Sequence, residues 1–172
     1  MSVPGIPDLA HFLAHAHAME VEAAERYRLF AGQMEVHNSP EVADLFAKLA
    51  DIEAKHADEI LARAGDDGLP HIASWDFAWN TPEGPETAAF EDAHYLMTPH
   101  HLLAAALEGE RQAYQFYERI ARETDDAEIR RLAEEYVDEE REHVALVEAL
   151  LERHPEPERD WSEDIDPPRA LE

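Results

Sequence analysis

Two Glu-x-x-His quartets, Glu53…His56 and Glu140…His143, recur in this chain of 172 residues. Each follows a Glu placed seven residues before a Tyr, Glu20…Tyr27 and Glu110…Tyr117. On a helix, residues i and i+3 share a face, so each quartet offers a carboxylate and an imidazole to one point. Carboxylate oxygen beside imidazole suits iron or manganese, and zinc accepts the same donors. The spacing therefore points to metal chemistry, with Glu20, Glu53, His56, Glu110, Glu140 and His143 as the candidate ligands.

One Glu-x-x-His alone is weak evidence. With 26 Glu and 11 His in the chain, random placement gives roughly 1.7 matches. Three occur, and the third, Glu91…His94, belongs to no repeat and is read as chance. Register sets the other two apart, because all six candidates stand where the flanking heptads place apolar residues. A charged carboxylate in a core costs several kcal/mol unless it is paired or metal-bound. Four of them aimed at one core need cations, and two divalent ions would balance their charge. For any single residue the simpler account is a solvated Glu or His on a Glu-rich helix; six in two matched sets favour the metal. Tyr27 and Tyr117 have two readings. They are phenols that hydrogen-bond a ligand carboxylate or pass electrons, or they are ordinary core aromatics.

Four amphipathic segments position these residues, so the expected fold class is all-α, a single-domain four-helix bundle of two hairpins. The first helix is predicted over about 9–36, after Pro7-Asp8, with Leu13, Glu20, Tyr27 and Met34 on one face. The second runs over about 40–64 from the Ser39-Pro40 start signal, with Leu45, Leu49, Ile52, Glu53, His56 and Ile60 as its stripe. The third, over about 99–123, opens at Thr98-Pro99 and repeats Leu103, Glu110 and Tyr117 at seven. The fourth, over about 126–153, carries Leu132, Tyr136, Glu140, His143, Val147 and Leu150. The halves align: Glu20 falls on Glu110 and Tyr27 on Tyr117, while Glu53 falls on Glu140 and His56 on His143, which predicts a pseudo-twofold.

The joints at His37-Asn38 and Thr124-Asp125 are short and force antiparallel neighbours. Residues 66–97 show no helix or strand pattern; a segment this long can cross the bundle and let the second and third helices run parallel. Its Trp75, Phe77 and Trp79 are expected to pin it to the bundle, and the tail over 155–172 reads as extended. The remaining polar residues fall out of phase. His15 and His17 lie on different faces and read as exposed, as do His100 and His101 in a first helical turn. Glu22, Glu25, Glu108, Glu139 and Glu142 read as a solvated face.

Composition narrows the function further. Asp and Glu number 40 against 14 Lys and Arg, a formal net charge of −26. Such a surface repels nucleic acid and anionic membranes and attracts cations, so no nucleic-acid or membrane partner is expected. The absence of cysteine excludes disulfides, thiolate zinc sites and iron–sulfur centres within these residues. The N-terminus lacks the pattern of a signal peptide and no stretch suits a membrane span, so a cytoplasmic location is expected.

Glu20-Val-Glu-Ala-Ala-Glu-Arg-Tyr27 and Glu110-Arg-Gln-Ala-Tyr-Gln-Phe-Tyr117, together with the two quartets, resemble the ferritin-like di-iron superfamily, in particular its rubrerythrin branch, over about residues 9–153. The resemblance implies two iron ions, with Glu53 and Glu140 bridging, Glu20 and Glu110 terminal, and one histidine on each metal. It implies an oxidoreductase acting on H2O2 or O2 with an external electron donor, and a homodimer. Ferroxidase or iron-handling activity, and a non-catalytic metal-stabilised bundle, are the competing functions. The chain departs from the branch in having no rubredoxin module. Ala113 also stands where an additional Glu is usual, one turn after Glu110. Ala54 stands where bacterioferritins place a haem-ligating Met, so no haem is expected.

Overall fold

The helix starts follow from residues that satisfy, or do without, the orphan N–H groups of a first turn. In the computed structural model, which describes residues 3–74, 76–78 and 98–156, α1 spans Leu9–Val36, α2 Pro40–Ala64, α3 Pro99–Glu123 and α4 Ala127–Arg153. Asp8 accepts from the backbone N–H of His11, and Asp126 from those of Glu128 and Ile129. Asp126 is thus a cap, so α4 begins one residue later than its sequence signal suggests. Ser39 sits at the N-cap of α2 without a capping side-chain bond. There Pro40 at the first position removes a donor that would otherwise need a partner. Asn38 takes φ 56° in the turn between α1 and α2, a left-handed conformation that Asn tolerates better than most residues.

Contacts between the hairpins set the directions. Tyr27 meets Glu110 while Tyr117 meets Glu20, so α1 and α3 are antiparallel. Arg63 meets Glu135 and Arg153 meets Glu41, so α2 and α4 are antiparallel too. With three-residue joints inside each hairpin, α2 and α3 must run parallel, which is why a long crossover separates them. That crossover opens with one 3-10 turn, Gly65–Asp67, where no helix is expected from the sequence. It is held by its backbone at Ala78, whose N–H donates to His15 Nε2 (2.9 Å) and whose carbonyl accepts from Arg119 (2.7 Å). Phe77 lies edge-on to the His15 ring, as a pinning residue should. Trp75, Trp79, the Glu91…His94 match and the tail beyond Glu156 lie outside the described residues.

The core is in two parts. One gathers Phe12, Leu13, Met19, Phe116, Tyr117, Ile120, Leu132 and Tyr136. The other gathers Tyr27, Phe30, Met34, Val42, Phe46, Leu49, Leu102, Leu103, Val147 and Leu150. Each holds one of the two heptad-placed tyrosines. Between them lies a waist of buried ionisable groups.

Candidate metal centre

Glu20, Glu53, Glu110, Glu140 and His143 occupy inward positions of their four helices and are at most 4% exposed. His56 is half-buried, and the six side chains converge. His143 Nδ1 lies 3.0 Å from Glu53 Oε1, 3.6 Å from Glu110 Oε2 and 3.5 Å from Glu140 Oε2. His56 Nδ1 lies 3.5 Å from Glu53 Oε2 and 3.9 Å from Glu20 Oε2. The two imidazoles are nearly parallel, with ring centres 5.8 Å apart. Glu53 reaches both.

These spacings fit a cation better than they fit hydrogen bonds. Donors about 2.1 Å from one metal stand about 3.0 Å apart in an octahedron and about 3.4 Å apart in a tetrahedron. Glu53 Oε2, Glu110 Oε2, Glu140 Oε2 and His143 Nδ1 are all buried without a hydrogen-bond partner. Buried polar atoms are ordinarily bonded, and several orphans sharing one point indicate an ion that belongs there. Two groups of three donors lie close enough to share an ion, Glu53–His56–His143 and Glu110–Glu140–His143, each with its donor atoms within 4.8 Å of one another.

The electrostatics of the cluster show the same crowding. Burial alone would raise the Glu53 carboxyl, but His143 and His56 beside it outweigh burial and hold it below the usual range. Burial, reinforced by the charges of Glu110 and Glu53, pushes Glu140 well above it. Burial opposes a charge on His143, yet Glu110, Glu140 and Glu53 more than reverse it and raise the imidazole. Glu53 likewise raises His56 against the effect of burial. Four carboxylates compete here for two cationic rings.

The tyrosines carry features of both readings, each packed in one half of the core and each bonded to a carboxylate. Tyr27 donates to Glu110 Oε1, and Tyr117 donates to Glu20 Oε1 at 3.0 Å, both fully buried. Each helix hairpin thus fixes the leading Glu of the other. Burial and the nearby Glu20 and Glu140 raise the Tyr117 phenol well above its ordinary value, so it remains a donor.

Three sequence readings are corrected, those of His15, Glu139 and the pair His100 and His101. His15 is not exposed but fully buried, with Nδ1 2.7 Å from the His11 carbonyl and Nε2 accepting from Ala78. It is a structural anchor for the crossover. Glu139 is not simply solvated: its Oε2 lies 3.8 Å from His56 Nδ1. His100 and His101 are half-buried rather than exposed, bonded to the His154 carbonyl and to Thr98 Oγ1. Glu22, Glu25, Glu108 and Glu142 are exposed as expected.

A four-helix bundle whose waist gathers four carboxylates and two imidazoles defines the ferritin-like class of carboxylate-rich metal proteins. Within it, the rubrerythrin family model matches residues 11–151, and the chain belongs to the rubrerythrin family. It is similar to an uncharacterised conserved protein from Magnetospirillum magnetotacticum MS-1, whose crystal structure was determined at 2.00 Å. Identity is 40%, the TM-score is 0.75, and the match covers 89% of this chain and 99% of that one. No curated protein matches the chain. Among the described residues, no helix is long and apolar enough to cross a membrane.

Proposed function

We propose that the protein is a di-iron oxidoreductase of rubrerythrin type that reduces H2O2 or O2 with electrons from an external donor. In this reading Glu20, Glu53, His56, Glu110, Glu140 and His143 would hold two metal ions. The observation that supports it most is the set of buried, unbonded oxygens, those of Glu110 and Glu140 beside His143 Nδ1 and that of Glu53 beside His56 Nδ1. When bound, two irons can deliver two electrons together, so that H2O2 takes up two electrons and two protons to give two waters.

The chain's own residues do the rest. Tyr27 and Tyr117 fix Glu110 and Glu20 from opposite sides. The aromatic and aliphatic halves of the core pack above and below the site, and among the described residues one side opens toward solvent. That side is a cavity of about 680 Å³ between α2 and α4, onto which His56, Glu139 and His143 face. It admits a small oxidant.

The formal charge of −26 favours a second reading, iron handling, in which the acidic surface gathers Fe2+ as substrate. Anaerobic di-ferrous protein mixed rapidly with H2O2 and with O2 separates the two. Faster oxidation by peroxide, with two irons per chain and no more, is the expected outcome. Turnover of many irons per chain with mineral formation would establish the second reading, and inertness to both oxidants would leave a purely structural metal centre.

A further inference from the structure

The pseudo-twofold that relates the halves of the site is broken at the residue preceding each quartet. Glu140 corresponds to Glu53, so the residue before it, Glu139, corresponds to Ile52. Ile52 is apolar and Glu139 is a carboxylate, and both face the cavity between α2 and α4. Three carboxylate oxygens surround each imidazole. Around His143 they come from Glu53, Glu110 and Glu140. Around His56 they come from Glu53, Glu20 and, where the twofold would bring Glu140, from Glu139 at 3.8 Å.

We propose that Glu139 is a seventh donor of the centre, a carboxylate that enters the coordination of the metal on His56 from the cavity side and makes the two metal positions unequal. The inference rests on the two-metal reading above. Glu139 Oε2 lies as close to His56 Nδ1 as Glu20 Oε2 does, 3.8 against 3.9 Å. It also shares that nitrogen with Glu53, whose second oxygen is buried and unbonded. Its side chain keeps 32% of its surface, against 5% for Glu20. It can therefore swing between the metal and solvent, which the four buried carboxylates cannot do. Ala113 leaves α3 without a carboxylate one turn after Glu110, so no further donor comes from that position. The His56 position gains charge and flexibility, while the carboxylates around His143 are all buried.

The alternative is that Glu139 only pairs with a protonated His56. The two roles predict opposite signs for metal binding. A pairing carboxylate stabilises the imidazolium, which cannot bind a metal, so its removal leaves affinity unchanged or raises it. Removal of a donor lowers it.

The test is Co2+ titration of the metal-free full chain, followed by visible absorption and calorimetry, with circular dichroism confirming the helices of each variant. Wild type should take up two Co2+ per chain. E139Q should weaken one of the two steps by about ten- to a hundredfold and spare the other. H56A should abolish that same step, so that E139Q adds no further loss in the H56A background. E142Q, in the same cavity but exposed, should leave both constants within about twofold. Unchanged or tighter binding by E139Q overturns the proposal, and so does equal weakening of both steps, the mark of a general charge effect. If wild type takes up no Co2+, the two-metal reading fails and Glu139 fails with it; two ions bound equally well by wild type and E139Q sink the Glu139 assignment alone.

Discussion

Substituting Glu140 by Gln should stabilise the protein without metal and destabilise it with metal. Glu140 is 4% exposed, and its Oε2 has no hydrogen-bond partner. Its nearest cationic group, His143, is shared with Glu53 and Glu110. A buried polar atom left unbonded costs about 1–3 kcal/mol, more if charged. Gln keeps the shape and removes the charge, so in EDTA at pH 7 the variant should gain about that amount. For a chain of this size, each kcal/mol moves the melting temperature about 2–4 °C, giving a rise of roughly 2–12 °C. The gain has a pH signature. Burial raises the Glu140 carboxyl in the folded state, so the folded protein binds more protons than the unfolded one at pH values above the ordinary carboxylate range. Wild type therefore loses stability as pH rises through that window, and the Gln variant lacks this loss. Below the window the carboxyl is protonated in both states and the difference shrinks. With saturating metal the order reverses, because a neutral amide oxygen is the weaker donor and the stabilisation by bound ions is forfeited. Differential scanning calorimetry in EDTA and in excess Mn2+ reads both signs. An E140Q protein that melts lower than wild type in EDTA would refute the argument that this carboxylate is a burden held for the metal.

Three further outcomes follow from the same geometry. Y27F and Y117F each delete a buried bond to a carboxylate and should each lose about 1.5–3 kcal/mol in urea unfolding; a loss in one variant only would refute the twofold equivalence of the pair. Burial lowers the His15 imidazole and outweighs the bond to the His11 carbonyl, which raises it, with the charges of the His11 ring and Arg119 adding to the lowering. The stability it supports is therefore full above pH about 6.5 and is lost as pH falls through that value toward its lower folded one. Its ring proton, followed by NMR, should titrate below free histidine, and titration at or above that value would contradict neutral His15 as the acceptor for Ala78. D126A, which removes two capping bonds, should cost about 1 kcal/mol in thermal or urea unfolding, whereas S39A, which removes none, should cost less than about half that; equal costs would refute the cap assignment.

The helices were legible because their signals are local. Asp8, Pro40, Pro99 and Asp126 mark starts by removing or satisfying first-turn donors, and these marks do not depend on tertiary contacts. The six converging residues were legible because burial of a charge conflicts with the heptad unless something neutralises it, and the conflict repeats twice. The partners of the tyrosines were not legible. Tyr27 and Glu110 are joined only because α1 and α3 run antiparallel, and that follows from a crossover whose own sequence has no periodicity. His15 was misjudged for a related reason: its burial depends on Phe77 and Ala78 folding back over α1, 63 residues on for the Ala78 bond.

Glu139 shows where periodicity itself misleads. A heptad sorts residues into inward and outward, as though each helix had one buried face. In a four-helix bundle each helix also meets a neighbour along a seam, and a residue one step from the stripe lies on that seam. Glu139 is one step before Glu140 and reaches His56 across the seam between α2 and α4. Glu142 is two steps beyond Glu140 and remains exposed. The comparison that exposes the difference is internal to the chain: the repeat puts Ile52 opposite Glu139, and an apolar residue on one side against a carboxylate on the other is a departure that packing alone does not require. A duplicated bundle makes equal half-sites by default. Unequal ones need such a substitution, placed here on the cavity side of the seam.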